Sequence, residues 1–489
     1  MSAAPPPLAS NVNRGIAWSG VAQAVISISD MVSIAITLAL FVNETHYGIA
    51  GLALWLFPIL DTVTDLGVAS AVIQKDDHTE TKISTVFWVN CMIAGALALA
   101  LAGFAPLYAR MVDQPIVGSL LLAYGAKLLI QNAYTIPLAL MRKQMRFDEV
   151  AKLRMIAHVA ESIARPAFAA AGAQIWCFAL APLVRTVVFA VLVQLRNPFL
   201  PRLVFRYNEI RDYLAFGIRS GATQLLYQTY VNLDYPIVGM AFGPAALGAY
   251  RLAYEIILEP VRSITNVVSD VALPTFARIK HEPVLRVKQF IAFTRLNLIA
   301  VLPFLVILFL IIPDAVAMFG KAQSPQSLAL TAQCVRVLCI VGILRALGFV
   351  GPPLLDGLGF PGLSLRYMAF AALAMPLCFI NGAYYLGDEY SAAAVAIAWA
   401  VGYPLAFAIL MRLVLRQLPL RLHAYLRAAI GPIACSALGM ATGLVALQVT
   451  SEMGRSARVS LVVAASVVPI LLAFRFGLKL SLKTIRSSL

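Results

Sequence analysis

What most limits the folds open to this chain is the recurrence of apolar stretches long enough to cross a bilayer. Stretches of roughly 18–28 residues fall near 16–41, 47–72, 84–108, 116–140, 151–172, 175–195, 213–241, 245–273, 290–312, 328–354, 363–386, 391–414, 425–449 and 457–476. Hydrocarbon offers the backbone no hydrogen-bond partner, so each such stretch must satisfy its own amides, which a helix does. Charged residues make up 12% of the chain, where a soluble protein of this length carries about a quarter. The expected fold is therefore an all-α polytopic membrane protein with about fourteen transmembrane helices.

Basic residues test the count independently. With the N-terminus in the cytoplasm, 26 of the 38 lysines and arginines fall in inner loops and tails. They cluster at Arg142–Arg154, Arg196–Arg211, Arg278–Arg295, Arg412–Arg427 and Arg475–Arg486. Five (Arg110, Arg165, Lys321, Arg455 and Arg458) fall outside, and the other seven lie within spans. Such an imbalance places both termini in the cytoplasm. The net charge of +15 then follows from topology beside anionic lipid, and no nucleic-acid partner is expected. The six cysteines sit singly in apolar surroundings with no zinc spacing, so no metal or cofactor is expected. Residues 1–15 lack the features of a signal peptide and read, like 477–489, as a cytosolic tail.

The chain also resembles itself. Ser19-Gly20-x-x-Gln23 recurs as Ser220-Gly221-x-x-Gln224, Gly48 with Leu52-Ala53 recurs as Gly248 with Leu252-Ala253, and Pro58 is matched by Pro260. The offsets are 201, 200 and 202, in order. An even number of spans per unit makes this a parallel repeat. It divides the chain into a six-helix lobe (16–195), a basic cytosolic linker (196–212), a second six-helix lobe (213–416) and two further helices (417–476), with a substrate cavity expected between the lobes.

Charges inside the spans mark where that cavity should be lined. At about 100° per residue, Arg251, Glu255, Glu259 and Arg262 share one arc of a helical wheel roughly 80° wide. Four charges facing lipid would cost on the order of 10 kcal/mol, so the arc must face a partner helix or water. Span 1 places Ser19, Gln23, Ser27 and Asp30 in the same pattern. Span 7 groups Ser220, Gln224, Tyr227 and Asp234, with Arg219 at its cytoplasmic end, and span 2 sets Asp61 and Asp65 four residues apart. The plain alternative is helix–helix glue through Arg251–Glu255 and Glu259–Arg262 pairs. Arg336 and Arg345 lie on opposite faces of one span, and Lys127 and Arg185 are isolated in sequence; none of these joins the expected site.

No HExxH, Walker A or GxSxG motif occurs, the five histidines are scattered, and no loop is long enough for a soluble catalytic domain. Transport without chemistry is favoured. A membrane glycosyltransferase or ligase is the alternative from another class, and a structural scaffold would leave the repeated polar faces unexplained.

The segments GVAQAVISISDMVSIAITLAL, YGIAGLALWLFPILDTVTDLGVASAVIQ and LMRKQMRF resemble the polysaccharide flippases of the multidrug/oligosaccharidyl-lipid/polysaccharide exporter superfamily. So does the stretch from Phe216 to Ile279, with Asp234, Ile237-Val238-Gly239, Gly248-x-Tyr250, Ala253-Tyr254, Pro260 and Pro274-x-Phe276. The Wzx-like exporters are the nearest subgroup. The resemblance implies alternating access in a bacterial inner membrane, with undecaprenyl-pyrophosphate-linked oligosaccharide moved to the periplasmic leaflet. Arg219, Arg251 and Arg262 would then pair with phosphate. Glu255, Glu259, Asp234 and Asp30 would hold those arginines or take up a coupling ion, with H+ and Na+ the candidates. A polysaccharide polymerase or export complex is a candidate partner. A cation-coupled drug antiporter of the same superfamily is the rival, and would line its site mainly with carboxylates.

Overall fold

The computed structural model describes residues 8–65, 72, 79–319 and 323–477; for 8–17, 19, 207–209 and 212–220 only the backbone path is described. No strand occurs among the described residues. The chain is a multi-pass helical membrane protein, as the absence of internal solvent partners requires. Contacts divide it into two compact units, residues 1–248 and 249–489.

The first unit holds α1 (Leu8–Leu40), α2 (Glu44–Leu54), α3 (Phe57–Asp65), α4 (Glu80–Met111), α5 (Pro115–Lys143), α6 (Phe147–Phe168), α7 (Cys177–Arg196), α8 (Tyr207–Asn232) and the start of α9 (Asp234–Arg278). Helix α1 packs on α6, α5 packs on α4 and α7, α6 also packs on α7, and α8 packs on α3 and α4. Local signals set the helix starts. The Asn43 side chain accepts from the His46 amide at 2.9 Å, Thr79 caps α4, and Pro115 opens α5 where its missing N–H costs nothing. Span 2 is interrupted between α2 and α3 just before Pro58, whose ring cannot continue a helix started upstream.

The second unit contains the remainder of α9, then α10 (Pro283–Phe319), α11 (Pro325–Gly348), α12 (Gly351–Gly357), α13 (Pro361–Tyr390), α14 (Ala393–Leu415), α15 (Leu422–Val449) and α16 (Arg455–Gly477). Helix α10 packs on α11, α15 and α16, while α14 packs on α11 and α13. Small residues allow these approaches, as is common where lipid-facing helices associate. Gly439 and Gly443 lie against Ile470 and Ser466, and Thr442 Oγ1 donates to the Ala465 carbonyl at 2.7 Å.

Among the described residues eleven stretches are long and apolar enough to cross a membrane, fewer than the fourteen spans expected from the sequence. The shortfall has two physical causes. The expected fifth and sixth spans fall in one stretch, 147–196, turned at Gly172 with φ +87°. Helices α8 and α9 are not among the eleven, because polar side chains such as Gln224, Gln228 and Asn232 in α8, and the charges of α9, lower their mean hydropathy. Within α9 the chain turns at Gly243, with φ +82° and ψ 173°, a conformation open to glycine and not to its neighbours.

The two glycines paired by the 200-residue repeat lie against one another. A Cβ on Gly48 would sit 1.7 Å from the Pro244 carbonyl oxygen, and one on Gly248 would sit 2.0 Å from that of Glu44. Only two bare backbones can cross this closely.

Candidate functional site

The four charges of α9 form two pairs along their own helix. Arg251 Nε meets Glu255 Oε1 at 2.9 Å, and Arg262 Nη2 meets Glu259 Oε2 at 2.6 Å. Spacings of four and three residues put these partners one turn apart, so the helix itself supplies the geometry. Burial separates the pairs. Arg251 and Glu255 keep 14% and 18% of their side-chain surface, against 37% and 40% for Arg262 and Glu259. The second carboxylate oxygen of Glu255 is buried with no hydrogen-bond partner among the described residues. Buried acceptors without donors are costly, so this oxygen is suited to an incoming donor. The face therefore presents guanidinium groups, the donors best matched to phosphate, each held by a carboxylate one turn away.

A second set of charges meets inside the first unit, and most of it was not visible as a set in the sequence. Lys127 Nζ on α5 reaches both oxygens of Asp61 on α3, at 2.8 and 2.7 Å, and also the Tyr124 hydroxyl at 3.0 Å. Tyr124 in turn donates to the Phe57 carbonyl at 3.0 Å. Arg165 on α6 joins Asp30 on α1 at 2.6 Å, Glu161 at 3.1 Å and Ser33 at 3.4 Å. Arg185 on α7 completes the group, 2.9 Å from Glu161. Lys127 and Arg185, isolated in sequence, are brought to Asp61 and Glu161 by the packing of α3, α5, α6 and α7. Arg165, counted on the outer side in the sequence, is 7% exposed within α6. The one signal available earlier was the i, i+4 spacing of Glu161 and Arg165.

The other expected site residues lie on α1, α3, α8 and α9. Gln23 donates to Ser27 at 3.4 Å along α1, a contact at the long limit for a hydrogen bond. Gln224 is exposed on α8 and Asp65 half-buried on α3. Asp234 is fully buried in the first turn of α9, where its charge complements the helix dipole. The side chains of Ser19, Arg219 and Ser220 lie outside the described residues. Arg345, set aside in sequence, is 7% exposed in the second unit, with its guanidinium carbon 4.5 Å from the Trp399 ring centroid. Both its terminal nitrogens lie 3.3 Å from the Tyr254 hydroxyl, so aromatic faces solvate the charge. Arg336, nine residues earlier, stacks over Phe309 on another face. No group of three or more metal-ligating side chains occurs among the described residues.

Known proteins resemble this chain in sequence and in fold. A family described as polysaccharide biosynthesis protein matches residues 37–322. The teichuronic acid biosynthesis protein TuaB of Bacillus subtilis (strain 168) is 27% identical over 354 residues, covering 70% of each chain. The lipopolysaccharide biosynthesis protein WzxC of Escherichia coli (strain K12) is 22% identical over 381 residues, 75% of this chain and 74% of that protein. Among solved structures, the lipid II flippase MurJ in an inward closed conformation superposes with a TM-score of 0.71 at 13% identity, covering 94% of this chain and 98% of that one. At that identity the likeness establishes a shared fold and nothing further.

Proposed function

The chain belongs to the polysaccharide biosynthesis protein family, and on that premise we propose that it flips an undecaprenyl-pyrophosphate-linked oligosaccharide from the cytoplasmic to the periplasmic leaflet of a bacterial inner membrane. Both termini are cytoplasmic in this reading, which the distribution of basic residues supports. Transport proceeds by alternating access, with the prenyl tail left in lipid while the head group crosses.

The observation that carries the proposal is the α9 face, where Arg251 is held by Glu255 and Arg262 by Glu259 inside a membrane-length helix. Charges in such helices are expensive, and a mixture of arginine and glutamate suits an anionic passenger better than an organic cation. Arg251 and Arg262 bind the pyrophosphate. Glu255 and Glu259 release them to the substrate, and Glu255 carries the coupling ion, H+ or Na+, on its buried second oxygen. Asp65, Gln23 and Gln224 give the first unit polar surface of its own.

The test is a deletion strain analysed for lipid-linked repeat units. Accumulation of undecaprenyl-linked units, with no loss of the glycosyltransferases that build them, is the expected result. Normal polysaccharide in the deletion strain would refute the assignment.

A further inference from the structure

Three cations and three carboxylates converge in the first unit from α1, α3, α5, α6 and α7: Lys127, Arg165 and Arg185 with Asp30, Asp61 and Glu161. The simplest role for such a group is to hold helices together. Two features of its geometry go further. Its burial is one-sided. Lys127, Arg165 and Glu161 keep 4%, 8% and 5% of their side-chain surface, whereas Arg185, Asp61 and Asp30 keep 29%, 34% and 44%. A carboxylate so open within an apolar span is too costly against hydrocarbon, so both must front water. They are the groups that an arriving solute meets first.

The cations, moreover, are aimed by contacts that do not involve the two outer carboxylates. Lys127 is also held by Tyr124, itself anchored on the Phe57 carbonyl, and Arg165 by Glu161 and Ser33. Arg185 is held by Glu161. Withdrawal of Asp30 and Asp61 would leave Lys127 and Arg165 still pointing at the places those oxygens had occupied. To an ammonium or a guanidinium group, a carboxylate and a phosphate edge offer the same pair of acceptor oxygens.

We propose that Lys127, Arg165 and Arg185 form a latent oxyanion site for a diphosphate, kept closed by Asp30 and Asp61 and opened when the diphosphate exchanges with those two carboxylates. Glu161 stays in place and spaces Arg165 from Arg185. The exchange conserves charge pairing at the cations, so they are never stranded without a counter-ion while the anion passes. Identifying the diphosphate as a lipid-linked head group rests on the transport reading above; the existence of the site does not.

The test is calorimetric titration of inorganic pyrophosphate into the purified full-length protein carrying Arg251→Ala and Arg262→Ala, which removes anion binding at the α9 face. Saturable binding should remain. It should weaken at least about tenfold in Lys127→Gln, survive in Lys127→Arg, and tighten about tenfold in Asp61→Asn, since one charge-assisted bond is exchanged in each case. Absence of saturable binding, or weakening in Asp61→Asn to match Lys127→Gln, would overturn the site and leave only helix glue. A short-chain polyprenyl diphosphate that displaces pyrophosphate at lower concentration supports a lipid-linked head group as the ligand. Displacement only at equal or higher concentration overturns that identification in favour of a free diphosphate. Failure of the transport reading is distinguishable, because it would appear as undiminished export in the deletion strain whatever the titration shows.

Discussion

Removing Arg165 should damage the fold, while removing Arg251 should damage transport alone, and the two effects can be ranked from burial. Arg165 and Glu161 form a pair 8% and 5% exposed. Taking one partner from a buried pair typically costs about 3–5 kcal/mol, because it strands the other charge. Glu161 retains Arg185 at 2.9 Å, which sets the expected loss near the lower end, about 3 kcal/mol. The Asp30 contact adds little, since Asp30 is 44% exposed and water screens it to less than about 1 kcal/mol. Arg251→Ala removes a one-turn pair along a single helix, worth about 0.5 kcal/mol when exposed and about 1 kcal/mol at this partial burial. The gap of about 2 kcal/mol corresponds to roughly thirtyfold in the folded-to-unfolded ratio. Thermal unfolding of the detergent-solubilised variants, with membrane abundance and polysaccharide export measured in parallel, reads all three quantities. Arg165→Ala should unfold at lower temperature and accumulate poorly. Arg251→Ala should resemble the parent in both respects and yet export no polysaccharide. Equal destabilisation by the two substitutions would refute the reasoning and make the α9 pair structural.

Gly48→Ala should destabilise by at least about 1–3 kcal/mol, seen as lost thermal stability in detergent, because the new methyl meets the Pro244 backbone and no side chain can yield. Glu255→Gln should abolish the dependence of flipping on a pH gradient in proteoliposomes if its buried oxygen carries the proton; unchanged dependence removes that residue from coupling. Trp399→Ala should cost more than the area of the ring alone accounts for, by about 1–2 kcal/mol, since it strips the face that covers Arg345; an equal cost in an Arg345→Met background would deny the coupling.

Helix number and the site behave differently when read from the sequence. Apolar length marks each crossing because the bilayer imposes it residue by residue. The expected turns between spans 5 and 6 and between spans 7 and 8 therefore coincide with Gly172 and Gly243. The α9 pairs were equally legible, since partners three and four residues apart need only the helix to meet. Lys127 and Asp61, 66 residues apart, have no such local link, and neither do Arg165 and Asp30, 135 apart. Their pairing depends on which helices pack together, and apolar periodicity in a membrane protein says little about that. Lipid and helix neighbours are equally greasy, so an apolar face does not reveal which of them it meets.

Leaflet transfer by the purified protein tests the central proposal most directly. Proteoliposomes carrying an undecaprenyl-pyrophosphate-linked oligosaccharide on one leaflet can be probed with a membrane-impermeant reagent that oxidises sugars only where they are exposed. The wild-type protein should move the sugar to the opposite leaflet, and the Arg251→Ala protein, reconstituted in equal amount, should not. Transfer at the same rate by both proteins would contradict the assignment of the α9 face. No transfer by the wild type, under coupling gradients of either H+ or Na+, would contradict the flippase itself.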